Sequence, residues 1–166
     1  MSEEIFDVVN ERDEVIGQVP RSEVHARKLL HRAVHVFVFN SRGDLLLQKR
    51  SALKDEYPLC FTSSSSGHLS AGETYDEAAP RELQEELGLV VPLERLARFP
   101  AGPETSFEHT VLYRSMTDAP PTIDPLEVDE LVVWPLAEVS RRVAAEPKQF
   151  CPAFRVLFGW YVRQFE

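Results

Sequence analysis

The sequence predicts an α/β sandwich, and three observations carry that prediction. Short stretches with strand-like alternation recur along the chain, too many for a helical bundle. One of them, His31–Phe39, is largely apolar on both faces. Ala33, His35, Phe37 and Phe39 alternate with Val34, Val36 and Val38, so the strand needs cover on both sides of its sheet. Amphipathic helical segments at 74–87, 136–145 and 153–165 can supply that cover.

From the N-terminus, Ile5–Val9 and 15–19 read as strands, with Asn10, Arg12 and Asp13 as turn residues between them. Pro20 opens a short helix that runs to Lys28. After His31–Phe39, residues 40–44 (Asn-Ser-Arg-Gly-Asp) turn the chain, and 45–49 returns it. Further strands are expected at 61–64, 93–99, 107–116 and 130–134, and the proline-rich stretch 118–125 is a loop. The last helix has Phe154, Leu157, Phe158, Tyr161, Val162 and Phe165 at helical spacing, a stripe expected to face the core.

The 166 residues fit one domain, 1–166, with 1–30 as an extension packed on it, and can bury a core without staples. Composition is ordinary for a globular chain, 43% hydrophobic and 27% charged. A formal net charge of -9 argues against a nucleic-acid polymer as partner, because phosphate backbones need a cationic field. A small phosphorylated substrate remains compatible, since metal ions bridge anions. Cys60 and Cys151 are expected as reduced thiols. The start, Met1-Ser2-Glu3-Glu4, is acidic where a leader is basic, and no run nears the ~18 apolar residues that span a bilayer. A cytoplasmic protein without a membrane partner is expected, as monomer or homodimer.

The chemistry sits in 67–89. Thr74 and Glu77 form a capping box that starts a helix, and Gly88 is its natural stop. At 100° per residue Ala79, Leu83 and Leu87 make a core stripe. Glu82, Glu85 and Glu86 share the adjacent face, and Arg81 is placed to pair with Glu77 and Glu85. Like charges at this spacing destabilise a helix by about 0.2–0.5 kcal/mol per pair. Three carboxylates without thiolates suit a hard cation such as Mg²⁺ or Mn²⁺. Three glutamates alone read more readily as a solvated acidic face than as a cation site. Pro80, inside this helix, is expected to kink it or make it restart.

The full spacing is more specific. Gly67, five residues, Glu73, seven residues, Arg81, Glu82, an aliphatic, any residue, Glu85, Glu86, any residue, Gly88 and an aliphatic match the Nudix box without a gap. Chance gives such a match on the order of 10⁻⁷ in a chain of this length. The chain from about Asp7 to Trp134 resembles the Nudix branch that contains isopentenyl diphosphate isomerases and their hydrolase relatives. The resemblance implies a Nudix-type α/β/α sandwich with a central mixed β-sheet. It implies Glu85 and Glu86 as metal ligands, Glu82 as ligand or general base, Arg81 as the residue that holds them, and the Gly67 carbonyl near the metal. It gives Glu73 a structural role. Arg50 and Lys54 match residues that bind the substrate diphosphate in the isomerases. The implied reaction is metal-dependent cleavage of a phosphoanhydride in a nucleoside diphosphate linked to another moiety.

Two departures favour a hydrolase over an isomerase: Ser66 stands where the isomerases place a catalytic cysteine, and Glu82 where they commonly carry arginine. His25, His31, His68 and Glu108 lie near that branch's metal-ligand positions, which keeps the isomerase as the alternative. A non-catalytic nucleotide-binding module is a further alternative. Phe99, Phe107 and Trp134 are expected to be buried aromatics rather than base-stacking ones.

Overall fold

A computed structural model describes residues 3–166. Met1 and Ser2, the start of the acidic stretch considered above, lie outside the described residues. The central strand, β3 (His31–Phe39), is buried at every position from Ala33 onward, as expected of a strand apolar on both faces. Along one edge it runs parallel to β8 (Glu108–Met116), from His31 opposite Glu108 to Phe39 opposite Met116. β7 (Glu94–Phe99) pairs antiparallel with the far side of β8.

The other edge of β3 forks. Near its C-terminal end, Val38 and Phe39 pair with Leu46 and Leu45 of β4 (Leu45–Arg50). Beyond that point β4 diverges from β3, while its outer side pairs along its length with β9 (Val128–Trp134). Two short strands fill the wedge: β5 (Phe61–Thr62) pairs with β4, and β6 (Ser65–His68) pairs with β3. The single strand expected at 61–64 is therefore two strands joined at Ser63 and Ser64. At the apex, Ser64 Oγ accepts from the Val38 N–H at 2.8 Å and donates to the Leu46 carbonyl, which satisfies main-chain groups that the divergence would orphan.

Helices cover both faces. α2 (Tyr75–Leu87) buries Ala79, Leu83 and Leu87 against Val34, Val36, Val38 and Val111. On the opposite face α3 (Leu136–Ala145) and α4 (Pro152–Phe165) cover Phe37, Phe39, Leu47 and Leu112. The predicted stripe on α4 is in this core through Phe154, Leu157, Phe158 and Tyr161. Its last member, Phe165, is 42% exposed and lies under the Arg114 guanidinium. The result is an α/β/α sandwich on a mixed sheet.

The N-terminal hairpin, β1 (Ile5–Val9) and β2 (Val15–Pro20), forms a separate two-stranded sheet followed by α1 (Arg21–Arg27). Phe6, Val8 and Val24 make its small core. Polar contacts tie it to the sandwich: Asp13 accepts from Arg32 Nε at 2.7 Å and from Tyr75 OH at 2.8 Å, and Asp7 accepts from the Gly72 N–H at 3.0 Å.

Thr74 caps α2 with the reciprocal Glu77 contacts of a capping box, and Gly88 ends it at φ 64°, a left-handed conformation suited to glycine. Because Glu77 is used in the cap, it does not pair with Arg81 as the spacing had suggested. α2 also runs unbroken through Pro80, so the expected restart does not occur. Pro80 lies on the exposed side, while its neighbours Ala78 and Ala79 are wholly buried, and packing with the cap holds the helix together. Pro80→Ala restores an N–H for the Asp76 carbonyl. It should raise stability by about 1–3 kcal/mol in chemical denaturation, and an unchanged midpoint would refute a cost at this position.

Candidate functional site

The fork leaves a cleft of about 530 Å³ along β6, where α2, the β4–β5 connection and the start of α4 meet. The box residues Gly67, Arg81, Glu82, Glu85 and Glu86 line it together with Arg50 and Lys54. Glu86 is buried, 5% exposed, and sits at the edge of β6. Its Oε1 accepts from Gln48 Nε2 at 2.7 Å and from the Ser66 N–H at 3.1 Å. Glu82, one turn earlier, lies directly over Gly67. A Cβ added to Gly67 would stand 2.2 Å from Glu82 Cδ, so only glycine leaves room for that carboxylate.

Arg81 organises the group. It grips Glu73 with two bonds of 2.7 and 2.8 Å, reaches Glu82 at 2.8 Å and Glu85 at 3.1 Å, and donates to the His68 carbonyl at 3.1 Å. Glu73 thus braces Arg81, and its hydrogen bond to Arg81 holds its pKa below the usual carboxylate value. Burial, and then the charge of Glu86, pushes Glu82 up to about 8. Burial also raises Glu86, against the lowering effect of its bonds to Ser66 and Gln48. Two carboxylates held together so that both resist ionisation form a donor set that a divalent cation fits. Glu85 differs: its side chain is 58% exposed at the rim.

Across the cleft lie the basic residues. Arg50 donates from Nε to the Glu56 carbonyl at 3.0 Å, and Lys54 pairs with Glu127. Arg21, on α1, also lines the cleft and pairs with Asp55 at 3.3 Å. The sequence reading had not singled it out, because nothing in its local pattern links residue 21 to residues 50–86. Phe99 packs on Trp160, and Trp134 on Phe61 and Arg142, within or against the α4-side core. Neither lines the cleft, while Phe107 borders a shallower depression beside His25 and His31.

A second donor set adjoins the cleft, whose wall includes its His68 and Glu108. Among the described residues, His25, His31 and His68 offer ligand atoms that all lie within 4.8 Å of one another. They come from α1, β3 and β6, and Phe6 of the hairpin stacks on His31 with ring centres 5.9 Å apart. His31 Nδ1 lies 2.8 Å from the Leu29 carbonyl and donates to it, which leaves the Nε2 lone pair free. The Nε2 atoms of His25 and His31 are buried without a partner. Glu108 Oε2 lies 3.0 Å from His68 Nε2 and 3.8 Å from His31 Nε2. Burial lowers His31 to about 4 and His68 to about 3, and raises Glu108 to about 7. Neutral imidazoles with orphaned nitrogens beside a carboxylate fit a transition-metal ion. The resemblance had grouped these residues, and the fold brings them together although His25 and His68 are 43 positions apart.

The described residues include no helix long and apolar enough to cross a membrane. Comparison with known proteins places this geometry in a family. The NUDIX domain model matches residues 29–154. A Yersinia pestis protein described as an uncharacterized Nudix hydrolase is 32% identical over 165 residues, 98% of this chain and 88% of its own. An isopentenyl-diphosphate Delta-isomerase of Pectobacterium atrosepticum is 33% identical over 157 residues, 92% of this chain and 88% of its own. A Nostoc protein described as an uncharacterized Nudix hydrolase is 51% identical over 87 residues, about half (52%) of each chain. A crystal structure from Deinococcus radiodurans superposes with TM-score 0.77 at 34% identity, over 86% of this chain and 90% of that one. The chain belongs to the Nudix hydrolase family, in the branch that also holds isopentenyl-diphosphate isomerases.

Proposed function

We propose that this chain hydrolyses a phosphoanhydride bond in a nucleoside diphosphate linked to another moiety, with Mg²⁺ or Mn²⁺ held by Glu82, Glu85, Glu86 and the Gly67 carbonyl. The observation that carries the reading is the apposition, in one cleft, of the buried Glu82–Glu86 pair with Arg50 and Lys54. Bound metal would supply neutralisation of phosphate charge and an activated water. The chain's own residues do the rest. Arg50 offers a planar fork for a phosphate, and Lys54 a point charge. Arg81 fixes Glu82 and Glu85 by hydrogen bonds, so the carboxylates need little reorganisation to act. Glu82 serves as a ligand or takes the proton from the attacking water.

His25, His31, His68 and Glu108 form a second metal site in this reading. The same cluster is the observation that favours the second reading, an isoprenoid-diphosphate isomerase. Ser66 in the cysteine position and Glu82 in the arginine position count against it. A binding module without catalysis is disfavoured because every box glutamate is present. The reading includes a cytoplasmic setting and a monomer or homodimer.

The test is a panel of nucleoside di- and triphosphates, dinucleoside polyphosphates, nucleotide sugars and isopentenyl diphosphate, incubated with Mg²⁺ or Mn²⁺ and resolved by chromatography. Metal-dependent cleavage is expected, and Glu86→Gln should lower it by about 100-fold or more. Full activity in that variant would overturn the assignment of Glu86, and isomerised isopentenyl diphosphate would establish the second reading. Gly67→Ala should fold, because the group it meets is the tip of a side chain. It should also displace Glu82 and lower metal affinity by about 10–100-fold. Unaltered affinity would mean that Glu82 is not a ligand. Elemental analysis of protein purified without chelator should give about one tightly held transition metal per chain. His31→Ala and His68→Ala should each lose it, and retention in both would remove the second site.

A further inference from the structure

His35 is absorbed neither by the box nor by the three-histidine cluster, yet it lines the cleft while only 6% exposed. Its position follows from register. On β3 and β6, His35 stands directly opposite Ser66, and Ala33 opposite His68. Side chains alternate across a strand, so His35 and Ser66 share one face of the sheet and Gly67 takes the other, beneath Glu82. The first face is the α4 side, where Phe37 meets Phe154, and Cys151 and Pro152 at the start of α4 line the cleft there. The cleft therefore wraps around the free edge of β6. The α2 carboxylates hold one side, and His35 with Ser66 forms the wall of the other, where the Arg50 charge also reaches His35.

The protonation of His35 follows from its one neighbour. Nδ1 lies 2.7 Å from Ser63 Oγ. Ser63 is fully buried, and its hydroxyl has no other hydrogen-bond partner among the described residues. A buried hydroxyl proton left unbonded is costly, so Ser63 donates and Nδ1 accepts. The ring is then neutral with its hydrogen on Nε2. Burial agrees, holding His35 down at about 3. Nε2 bonds no described residue and is not sealed from solvent. It therefore opens on the cleft as a fixed donor lacking an acceptor.

We propose that His35 is a specificity-determining residue, whose Nε2–H donates to an oxygen on the group attached to the diphosphate and so selects sugar-like groups over hydrocarbon ones. The proposal rests on the diphosphate reading above. A hydrocarbon tail packed here would leave this donor and the Ser66 hydroxyl beside it without water or partner, whereas a ribose or other sugar offers hydroxyl and ring oxygens. Sites built around a buried donor discriminate strongly against ligands that cannot pair with it.

The test uses uncleavable methylene-diphosphonate analogues with Ca²⁺, measured by calorimetry: a nucleotide-sugar analogue, an isopentenyl analogue, and methyl methylenediphosphonate as the bare head group. The wild type should prefer the nucleotide-sugar analogue to the isopentenyl one. His35→Leu should shrink that preference by about 10–100-fold and leave methyl methylenediphosphonate binding unchanged. His35→Gln, which restores a donor, should recover much of the preference, and a purely structural histidine would show no such pattern. ¹⁵N spectra of the imidazoles should find His35 protonated on Nε2 and bare on Nδ1. A preference unchanged in His35→Leu, an isopentenyl preference in the wild type, or the opposite tautomer would each overturn the assignment of His35 alone. Failure of the wild type to bind any of the three analogues would overturn the diphosphate reading, and this assignment with it.

Discussion

A single serine hydroxyl stands at the point on which the site depends. Where β3 and β4 part, the Val38 N–H and the Leu46 carbonyl lose their sheet partners, and Ser64 Oγ bonds to both. Left unpaired, each buried group would cost about 1–3 kcal/mol. With them satisfied, the sheet can open without paying that penalty, and the chain inserts β5 and β6 into the gap. The insertion gives β6 a free edge inside the protein. That edge exposes the Ser66 N–H to Glu86 and brings Gly67 under Glu82. The Ser63–Ser66 run is thus the seam of the molecule: Ser63 orients His35, Ser64 bridges the fork, and Ser66 faces the cleft.

The electrostatics follow from this geometry. Exposed glutamates at helical spacing repel by only about 0.2–0.5 kcal/mol per pair. Here Glu86 is buried and Glu82 nearly so, and burial is the larger cause of both pKa rises. The protein opposes it with directed groups: two N–H donors on Glu86 and the Arg81 guanidinium on Glu82 and Glu85. Arg81 itself is braced by Glu73, so the first acid of the box is linked to Glu82 and Glu85 through the arginine. This explains why the spacing from Glu73 to Arg81 matters although Glu73 makes no contact with Glu82 or Glu86.

Local pattern made much of this legible. The capping box, the Gly88 stop and the Ala79–Leu83–Leu87 stripe are interactions within one helix, and all are present as read. β3 was legible because it is apolar on both faces. The fork was not: residues 63–66 are polar and without periodicity, and their burial depends on β3 and β4, which the local sequence does not contain. The same holds for Arg81, whose partner Glu73 lies in the preceding loop rather than at Glu77 on the helix. His25, His31, His68 and Glu108 were grouped only through the resemblance, and the local sequence could not show that their ligand atoms converge or that two of the imidazole nitrogens lack partners.

The N-terminal hairpin then appears as part of the site rather than an appendage. It contributes Arg21 to the cleft and His25 to the histidine cluster through α1, and sets Phe6 against His31. Its anchors are chosen accordingly. Asp7 accepts from the Gly72 N–H, immediately before Glu73, so docking of the hairpin fixes the loop from which Glu73 reaches Arg81. Asp13 holds Arg32 and Tyr75, the residues that follow His31 on β3 and begin α2. Asn10 accepts through its carbonyl from His109, beside Glu108 on β8. The Arg32 and His109 contacts land beside His31 and Glu108, and the Gly72 contact beside Glu73, which braces Arg81, so a shift of the hairpin would disturb both sets together. The acidic box and the histidine cluster are in this sense one structural unit, although they lie on opposite sides of β6.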